Sequence, residues 1–238
     1  PLVSTTPSFS VREDLRAFFP QLWSDTKGIV SAENAIIFGA AIGAAIGIRQ
    51  DLDDQVRRKI DDGNPRWGDA SKFLGYLGEA QYQVAALGAV YGTSLWKEDP
   101  QLHSFSRALF STYTINGLAV LAVKGIADTE RPDPDWNGGR WGFPSFHAAA
   151  SFTIAGVAEE YYGMRVGLPL YGLAGLISWS RIDEQDHDLS DVAFGAAMGL
   201  IIGKSVAKQH LYGDGRLMVL PLTHPTEPAA GLQVELTY

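Results

Sequence analysis

The chain has 238 residues, of which 46% are hydrophobic and 19% are charged, and it contains no cysteine. Its formal net charge of -8 at pH 7 argues against nucleic acid as a partner, because phosphate backbones repel an acidic surface. Without cysteine there are no disulfides, no thiolate metal sites and no cysteine nucleophile. The length suits one sizeable core, so we predict a single domain over residues 1–238.

The first quarter of the chain shows helical spacing of its apolar residues. Ser10 followed by Glu13 has the pattern of a capping box, and Pro20 is expected to kink or end the helix that follows. A second helix is predicted over about 32–48. Residues 49–64 mix both charges around sparse apolar positions, so we expect a short amphipathic helix whose charged side chains face solvent.

The rest of the chain is also mostly helical by pattern. Further helices are predicted near residues 68–95, 104–126, 147–162, 167–179 and 190–209. After these, apolar residues alternate with others, which predicts a β-hairpin. The predicted fold class is therefore all-α: a helical bundle over about 30–209, followed by a small C-terminal β-hairpin over about 216–238.

Four uncharged runs contain 12 to 16 residues. They cover residues 35–48, 108–123, 166–180 and 192–203. All fall short of the roughly 18 to 20 apolar residues that cross a bilayer, so we predict buried helices of a soluble bundle. The alternative is a bundle in lipid, because interfaces between membrane helices are also rich in small residues.

Two cations stand at the predicted end of an apolar helix. Lys124 is followed by Arg131 and Pro132, where the helix gives way to an extended loop. The planar fork of arginine and the point charge of lysine can converge there on one anion. Taken alone, this pair also fits ordinary cations near a helix C-terminus.

A second candidate anion site lies at the start of an alanine-rich helix. Ser145 is the predicted cap, so its hydroxyl and the free N–H groups of Phe146 and His147 are expected to point outward. The alternative for this segment alone is an ordinary Ser-capped helix with a histidine in its first turn.

The third segment surrounds one histidine with charge. Ser190 is the predicted N-cap of the last helix, which places His187 on the preceding loop and Asp191 in the first turn. An aspartate there can accept from one imidazole nitrogen and leave the other free as a nucleophile. With Arg181, the three segments supply three cations, a hydroxyl, helix-start amides and two histidines, as phosphoryl transfer needs.

In order and spacing these segments resemble the three-part signature of the type 2 phosphatidic acid phosphatase superfamily. The matching residues are Lys124, Arg131, Pro132, Pro144, Ser145, Phe146, His147, Ser180, Arg181, His187 and Asp191. That superfamily also includes bacterial class A acid phosphatases and vanadium-dependent haloperoxidases. One position departs from the pattern, because the family usually has glycine where this chain has Phe146.

The resemblance implies a role for each matching residue. His187 would attack phosphorus to form a phosphohistidine, Asp191 would orient it, and His147 would protonate the leaving oxygen. The phosphoryl oxygens would be held by Lys124, Arg131, Ser145, the N–H of Phe146, and Arg181. No metal and no cofactor is required. The Phe146 ring either turns away from the anion, narrows the pocket or offers an apolar wall to a lipid.

The function expected from this resemblance is a metal-independent phosphomonoesterase acting on a lipid phosphate or a small organic phosphate. The resemblance also points to a bacterial periplasmic or exported enzyme, either soluble or membrane-associated. One alternative is a vanadate-dependent haloperoxidase on the same anion site, although such enzymes are longer chains. Another is a catalytically silent anion-binding protein in which Phe146 blocks the phosphate. The oligomeric state is left open.

Four more carboxylates lie close to His187 in the sequence, and two interpretations of them stand. They are Asp183, Glu184, Asp186 and Asp188. They either form a solvated loop or raise the pKa of His187 by stabilising its imidazolium form.

Overall fold

The computed structural model describes residues 9–60, 67–133, 135 and 139–213, and the backbone alone of two further strands. The described ranges contain nine helices, which confirms the predicted all-helical bundle. They are α1 (Val11–Ile29), α2 (Ala32–Asp51), α3 (Asp53–Ile60), α4 (Asp69–Gly78), α5 (Ala80–Lys97), α6 (Pro100–Ala127), α7 (Phe146–Tyr162), α8 (Met164–Asp183) and α9 (Leu189–Tyr212).

Some helix ends follow the sequence signals and others do not. The Asp99 side chain accepts from the N–H of Leu102 at the start of α6, and Ser31 caps α2 in the same way. At α1 the Ser10 side chain makes no cap hydrogen bond, so the predicted capping box is wrong. This helix also continues through Pro20 instead of ending there.

Helix α7 forms the centre of the bundle and packs against α6, α8 and α9. Its alanines at 148, 149 and 150 are fully buried. Glycines of α9 allow the two backbones to approach closely: a Cβ atom at Gly199 would lie 2.1 Å from the carbonyl oxygen of Ala149, and one at Gly203 would lie 2.7 Å from that of Thr153. This close contact fixes the start of α7 relative to the start of α9.

The outer surface of the bundle is strongly apolar. Helices α2, α6 and α9 have 20, 28 and 24 residues and are long and apolar enough to cross a membrane. The expectation that every apolar segment is too short to cross a bilayer is therefore wrong. Large apolar side chains also face outward, among them Ile36 on α2 and Leu118 and Ile126 on α6.

Beyond α9, the backbone of β1 (Arg216–Thr223) runs antiparallel to that of β2 (Ala230–Thr237), with Val219 opposite Val234. This is the position of the predicted hairpin, but no side-chain contact is described for it. The hairpin as a part of the fold therefore stays a prediction, and the helices alone build the site.

Replacing Gly199 by alanine tests the close contact of α7 and α9. The new methyl group meets backbone that cannot move without shifting a helix, so we expect a loss of about 1–3 kcal/mol in the free energy of unfolding. Gly172 on α8 is the matched control, since nothing lies within 4 Å of its Cβ position. Gly172→Ala should leave stability unchanged or raise it by up to about 1 kcal/mol. Thermal unfolding of both purified variants measures the difference, and equal midpoints would contradict the contact.

Candidate active site

The eight predicted site residues come together at one end of the bundle, where α6 and α8 end and α7 and α9 begin. Arg131 and Arg181 meet at Asp186: Arg131 Nη1 donates to its carbonyl oxygen at 3.0 Å, and Arg181 Nη1 donates to its carboxylate. The N–H of Ser145 donates to the carbonyl of Asp191 at 3.1 Å, which joins the starts of α7 and α9. Folding thus brings the three sequence segments together in one cluster.

His187 lies against Asp191 in the centre of this cluster. Its ring Nδ1 is 3.3 Å from Asp191 Oδ2, and the histidine is only 3% exposed. The carboxylate of Asp191 also accepts the N–H of Asp188 at 3.1 Å. Because Asp188 accepts in return from the backbone of Asp191, the two residues form a capping box at the start of α9. The N-cap is therefore Asp188, and the prediction of Ser190 as the cap is wrong.

The three cations are held by acceptors from the protein. Lys124 Nζ donates to the carbonyl oxygens of Trp141 and Gly142, the latter at 3.2 Å. Arg131 also donates through Nε to the carbonyl of Arg140 at 3.0 Å. These contacts fix each positive charge in place before any anion binds.

The carboxylates near His187 are neither solvated nor paired with that histidine. Asp183, Asp186 and Asp188 are at most 5% exposed. Glu184 and Asp186 pair with Arg181, Asp188 pairs with Arg57, and Asp183 accepts from the Ser71 hydroxyl and the Trp67 N–H. Both sequence-based interpretations of these four residues are therefore wrong.

The pKa of His187 is shifted in the direction opposite to the one considered from the sequence. Burial holds the pKa of His187 well below its usual value, and the charges of Lys124, Arg131 and Arg181 lower it further. A hydrogen bond to the Gly142 carbonyl acts the other way but is outweighed. The imidazole is therefore neutral at physiological pH, as a nucleophile must be.

The Phe146 ring turns away from the anion-binding groups. It packs edge-on against Tyr113 of α6, with ring centroids 5.8 Å apart, and it contacts the Cβ position of Gly117. The alternative in which this ring fills the phosphate position therefore has no support in the structure.

A cavity of about 340 Å³ opens beside the cluster. It is lined by Lys72, Gly75, Tyr76, Glu79, Asp133, His147, Arg181, Glu184 and Asp186. The Nε2 atom of His147 is buried and has no hydrogen-bond partner among the described residues. A buried polar atom without a partner is uncommon, and here it stands at the wall of a cavity next to an arginine. His147 therefore borders the cavity and has a ring nitrogen that no described residue binds.

Helices α3 and α4 complete the site, and sequence analysis missed their contribution. The charges of residues 49–64 were expected to face solvent, but Arg57 binds Asp188 and the carboxylate of Asp53 accepts from Ser190. On α4, a Cβ atom at Gly75 would lie 2.2 Å from Arg181 Nη2, and one at Gly78 would lie 2.5 Å from His147 Cδ2. The glycines three residues apart in "GYLG" were the available signal for this contact, whereas no local signal identifies Arg57.

The described residues include no group of three or more histidine, aspartate or glutamate side chains placed to hold a metal ion. The acidic side chains around His187 pair with arginines or accept from N–H and hydroxyl groups instead.

The buried neutral state of His187 predicts loss of stability in acid. Between the lowered folded-state pKa and about 6.5, the unfolded chain binds a proton at His187 that the folded protein does not. The free energy of unfolding therefore falls as pH falls through this window, by up to about 1.4 kcal/mol per pH unit. We expect His187→Gln to reduce the slope of stability against pH below 6.5, as measured by urea unfolding. An unchanged slope would show that the ring is not buried in its neutral form.

Comparison with known proteins gives the same assignment as the signature. The family model described as the PAP2 superfamily matches residues 96–213, which include all eight site residues. A lipid A 4'-phosphatase of Porphyromonas gingivalis is 30% identical over 107 residues, which are 42% of this chain and 44% of that enzyme. The chain thus matches less than half the length of this curated relative.

Two solved structures share the fold. One is a transmembrane PAP2 type phosphatidylglycerolphosphate phosphatase from Bacillus subtilis, with a TM-score of 0.62 and 17% identity over 72% of this chain and 92% of that one. The other is LpxE from Aquifex aeolicus, with a TM-score of 0.56 and 24% identity over 66% of this chain and 95% of that one. With the signature residues gathered in one site and the family match over the same span, residues 96–213 of this chain belong to the PAP2 superfamily.

Proposed function

We propose that residues 1–238 form a single-domain phosphatase that hydrolyses a phosphate monoester through a phosphohistidine at His187, without a metal. The observation that carries the proposal is the buried His187–Asp191 pair beside Lys124, Arg131 and Arg181. A neutral imidazole next to three cations is suited to attack a phosphate that those cations hold and neutralise.

In the first step the phosphoryl oxygens bind the three cations, with the hydroxyl of Ser145 and the N–H of Phe146 at the start of α7. The free nitrogen of His187 forms a bond to phosphorus while the bond from phosphorus to the leaving oxygen breaks. Asp191 stabilises the positive charge that develops on the His187 ring. Burial and the charge of Arg181 hold the pKa of His147 well below its usual value in the empty site, so His147 takes up its proton when the phosphate anion binds beside it. It then gives this proton to the leaving oxygen, which departs as an alcohol.

In the second step a water molecule attacks the phosphohistidine. His147, now neutral, takes a proton from this water as the bond from phosphorus to His187 breaks. Inorganic phosphate leaves, and the site returns to its starting protonation state. The unpartnered Nε2 of His147 at the cavity wall supports its use as acid and then base.

The substrate that best fits the molecule is a phosphorylated lipid. The names of the Porphyromonas and Bacillus proteins both specify phosphorylated lipids. The site of this chain lies at one end of a bundle whose helices α2, α6 and α9 could cross a membrane, so a lipid headgroup could reach the cavity from the membrane surface. We further propose that this end of the bundle faces the periplasm. A small organic phosphate is the alternative substrate.

Hydrolysis of an aryl phosphate in EDTA tests the chemistry directly. We expect phosphate release to survive chelation, to be inhibited by vanadate as a transition-state analogue, and to fall at least about 10³-fold in His187→Ala. Labelled substrate should leave an acid-labile phosphoenzyme in the wild-type protein and none in the variant. Activity lost in EDTA and restored by a metal ion would contradict the scheme. Bromide oxidation with vanadate and peroxide would instead favour a haloperoxidase.

The basicity of the leaving group distinguishes the proposed role of His147 from that of His187. An alkoxide needs a proton as it leaves, whereas an aryl oxide with a pKa near 7 needs almost none. We expect His147→Asn to lower kcat about 10²- to 10⁴-fold on a lipid phosphate and at most about tenfold on p-nitrophenyl phosphate. His187→Ala serves as the control, since loss of the nucleophile should affect both substrates alike. Equal losses in His147→Asn would remove the acid role from that residue.

A further inference from the structure

Helix α3 contacts the loop between α8 and α9, which carries His187 and Asp188. It does so through an arginine that lies outside the span matched by the family model. Arg57 Nε donates to Asp188 Oδ1 at 2.6 Å, and its Nη2 donates to Asp188 Oδ2. Both oxygens of one carboxylate are thus bound by one guanidinium, which is the most specific geometry available to an arginine and a carboxylate. Asp188 is only 3% exposed, whereas the Arg57 side chain is 42% exposed, so solvent screens the pair from the arginine side only.

Asp188 connects this ion pair to the proposed nucleophile. It follows His187 directly in the chain, and its carboxylate caps α9 by accepting from the N–H of Asp191. The N–H of Asp188 donates to Asp191 Oδ2, the same oxygen that lies 3.3 Å from His187 Nδ1. A movement of Asp188 therefore moves the oxygen that orients the His187 ring.

A second contact from the same helix fixes the other side of the cap. The carboxylate of Asp53 accepts from the Ser190 N–H at 3.0 Å and from the Ser190 hydroxyl at 2.6 Å. Asp53 and Ser190 are both at most 3% exposed. Helix α3 thus holds the residues on either side of the α9 start from one rigid element.

We infer that Arg57 is a positioning residue, which sets the orientation of His187 through Asp188 and the Asp188–Asp191 capping box. This inference rests on the proposed role of His187 as the nucleophile. Arg57 itself is not among the residues that line the cavity, and it acts on geometry alone. Without it, Asp188 becomes a buried carboxylate that has lost its charge partner, a state that proteins relieve by moving or protonating the group.

The kinetic test compares three variants of α3. Arg57→Ala should lower kcat about 10- to 100-fold, since small displacements of a catalytic group cost rates of this order. KM and the inhibition constant of vanadate should stay within about threefold, because Lys124, Arg131 and Arg181 are untouched. Arg57→Lys keeps the charge but cannot bind both carboxylate oxygens in the same plane, so we expect an intermediate kcat. Arg58→Ala is the matched control, an exposed arginine on the same helix, and should behave as the wild type.

A second readout does not depend on catalysis. Nitrogen NMR of the protein labelled at histidine reports which ring nitrogen of His187 carries the proton, and His187→Gln assigns the signal. We expect a single tautomer protonated at Nδ1 in the wild type and in Arg58→Ala, and a mixture in Arg57→Ala. If the wild type hydrolyses no phosphate ester but the tautomer depends on Arg57, the proposed function fails and the positioning role stands.

Two outcomes would overturn the inference. One is an Arg57→Ala protein with wild-type kcat and an unchanged His187 signal. The other is parallel loss of kcat, vanadate binding and the folded spectrum, which would make Arg57 a residue needed only for the fold.

Discussion

Buried charge is the constraint on which the end of the bundle with the candidate active site depends. Lys124, Arg181, Asp186, Asp188 and Asp191 are each at most 6% exposed, so each must have a partner that replaces water. The partners come from different helices and loops: backbone carbonyls for Lys124, carboxylates for Arg181, and Arg57 for Asp188. Charge compensation therefore also fixes the helices relative to one another, and it holds the groups proposed to bind phosphate in place before any anion arrives.

The second constraint is the small size of the residues between the helices. Ser145 and Asp191 belong to the starts of α7 and α9, and their 3.1 Å backbone hydrogen bond requires the two helices to be almost in contact. Glycines on α9 permit this, and Gly75 and Gly78 permit α4 to lie equally close to Arg181 and His147. Larger residues at these positions would separate the helices by more than a hydrogen bond can span.

The sequence was sufficient to find the residues that gather in the candidate site, but it did not identify the residues of α3 and α4 that contact them. The signature residues are recognisable because their spacing is local, and helical periodicity located most of the helices. Arg57 is 131 positions from Asp188, and nothing near it in the sequence distinguishes it from the exposed Arg58. The membrane-length helices were missed for a related reason: counting between charges stops at Arg107 and Lys124, although both belong to the 28 residues of α6.

The span matched by the family model and the segment before it contribute different parts of the site. All eight site residues lie within 96–213, whereas Asp53, Arg57, Lys72, Tyr76 and Glu79 lie before that span. Under the proposed function, the groups that would hold and cleave a phosphate are thus separate in the sequence from α3, which contacts Asp188 and Ser190, and from α4, which lines the cavity. On that proposal, changes in α4 would alter the leaving group that is accepted while the phosphoryl chemistry is retained. Changes in α3 are more restricted, because Asp188 and Ser190 need their partners Arg57 and Asp53 whichever substrate is bound.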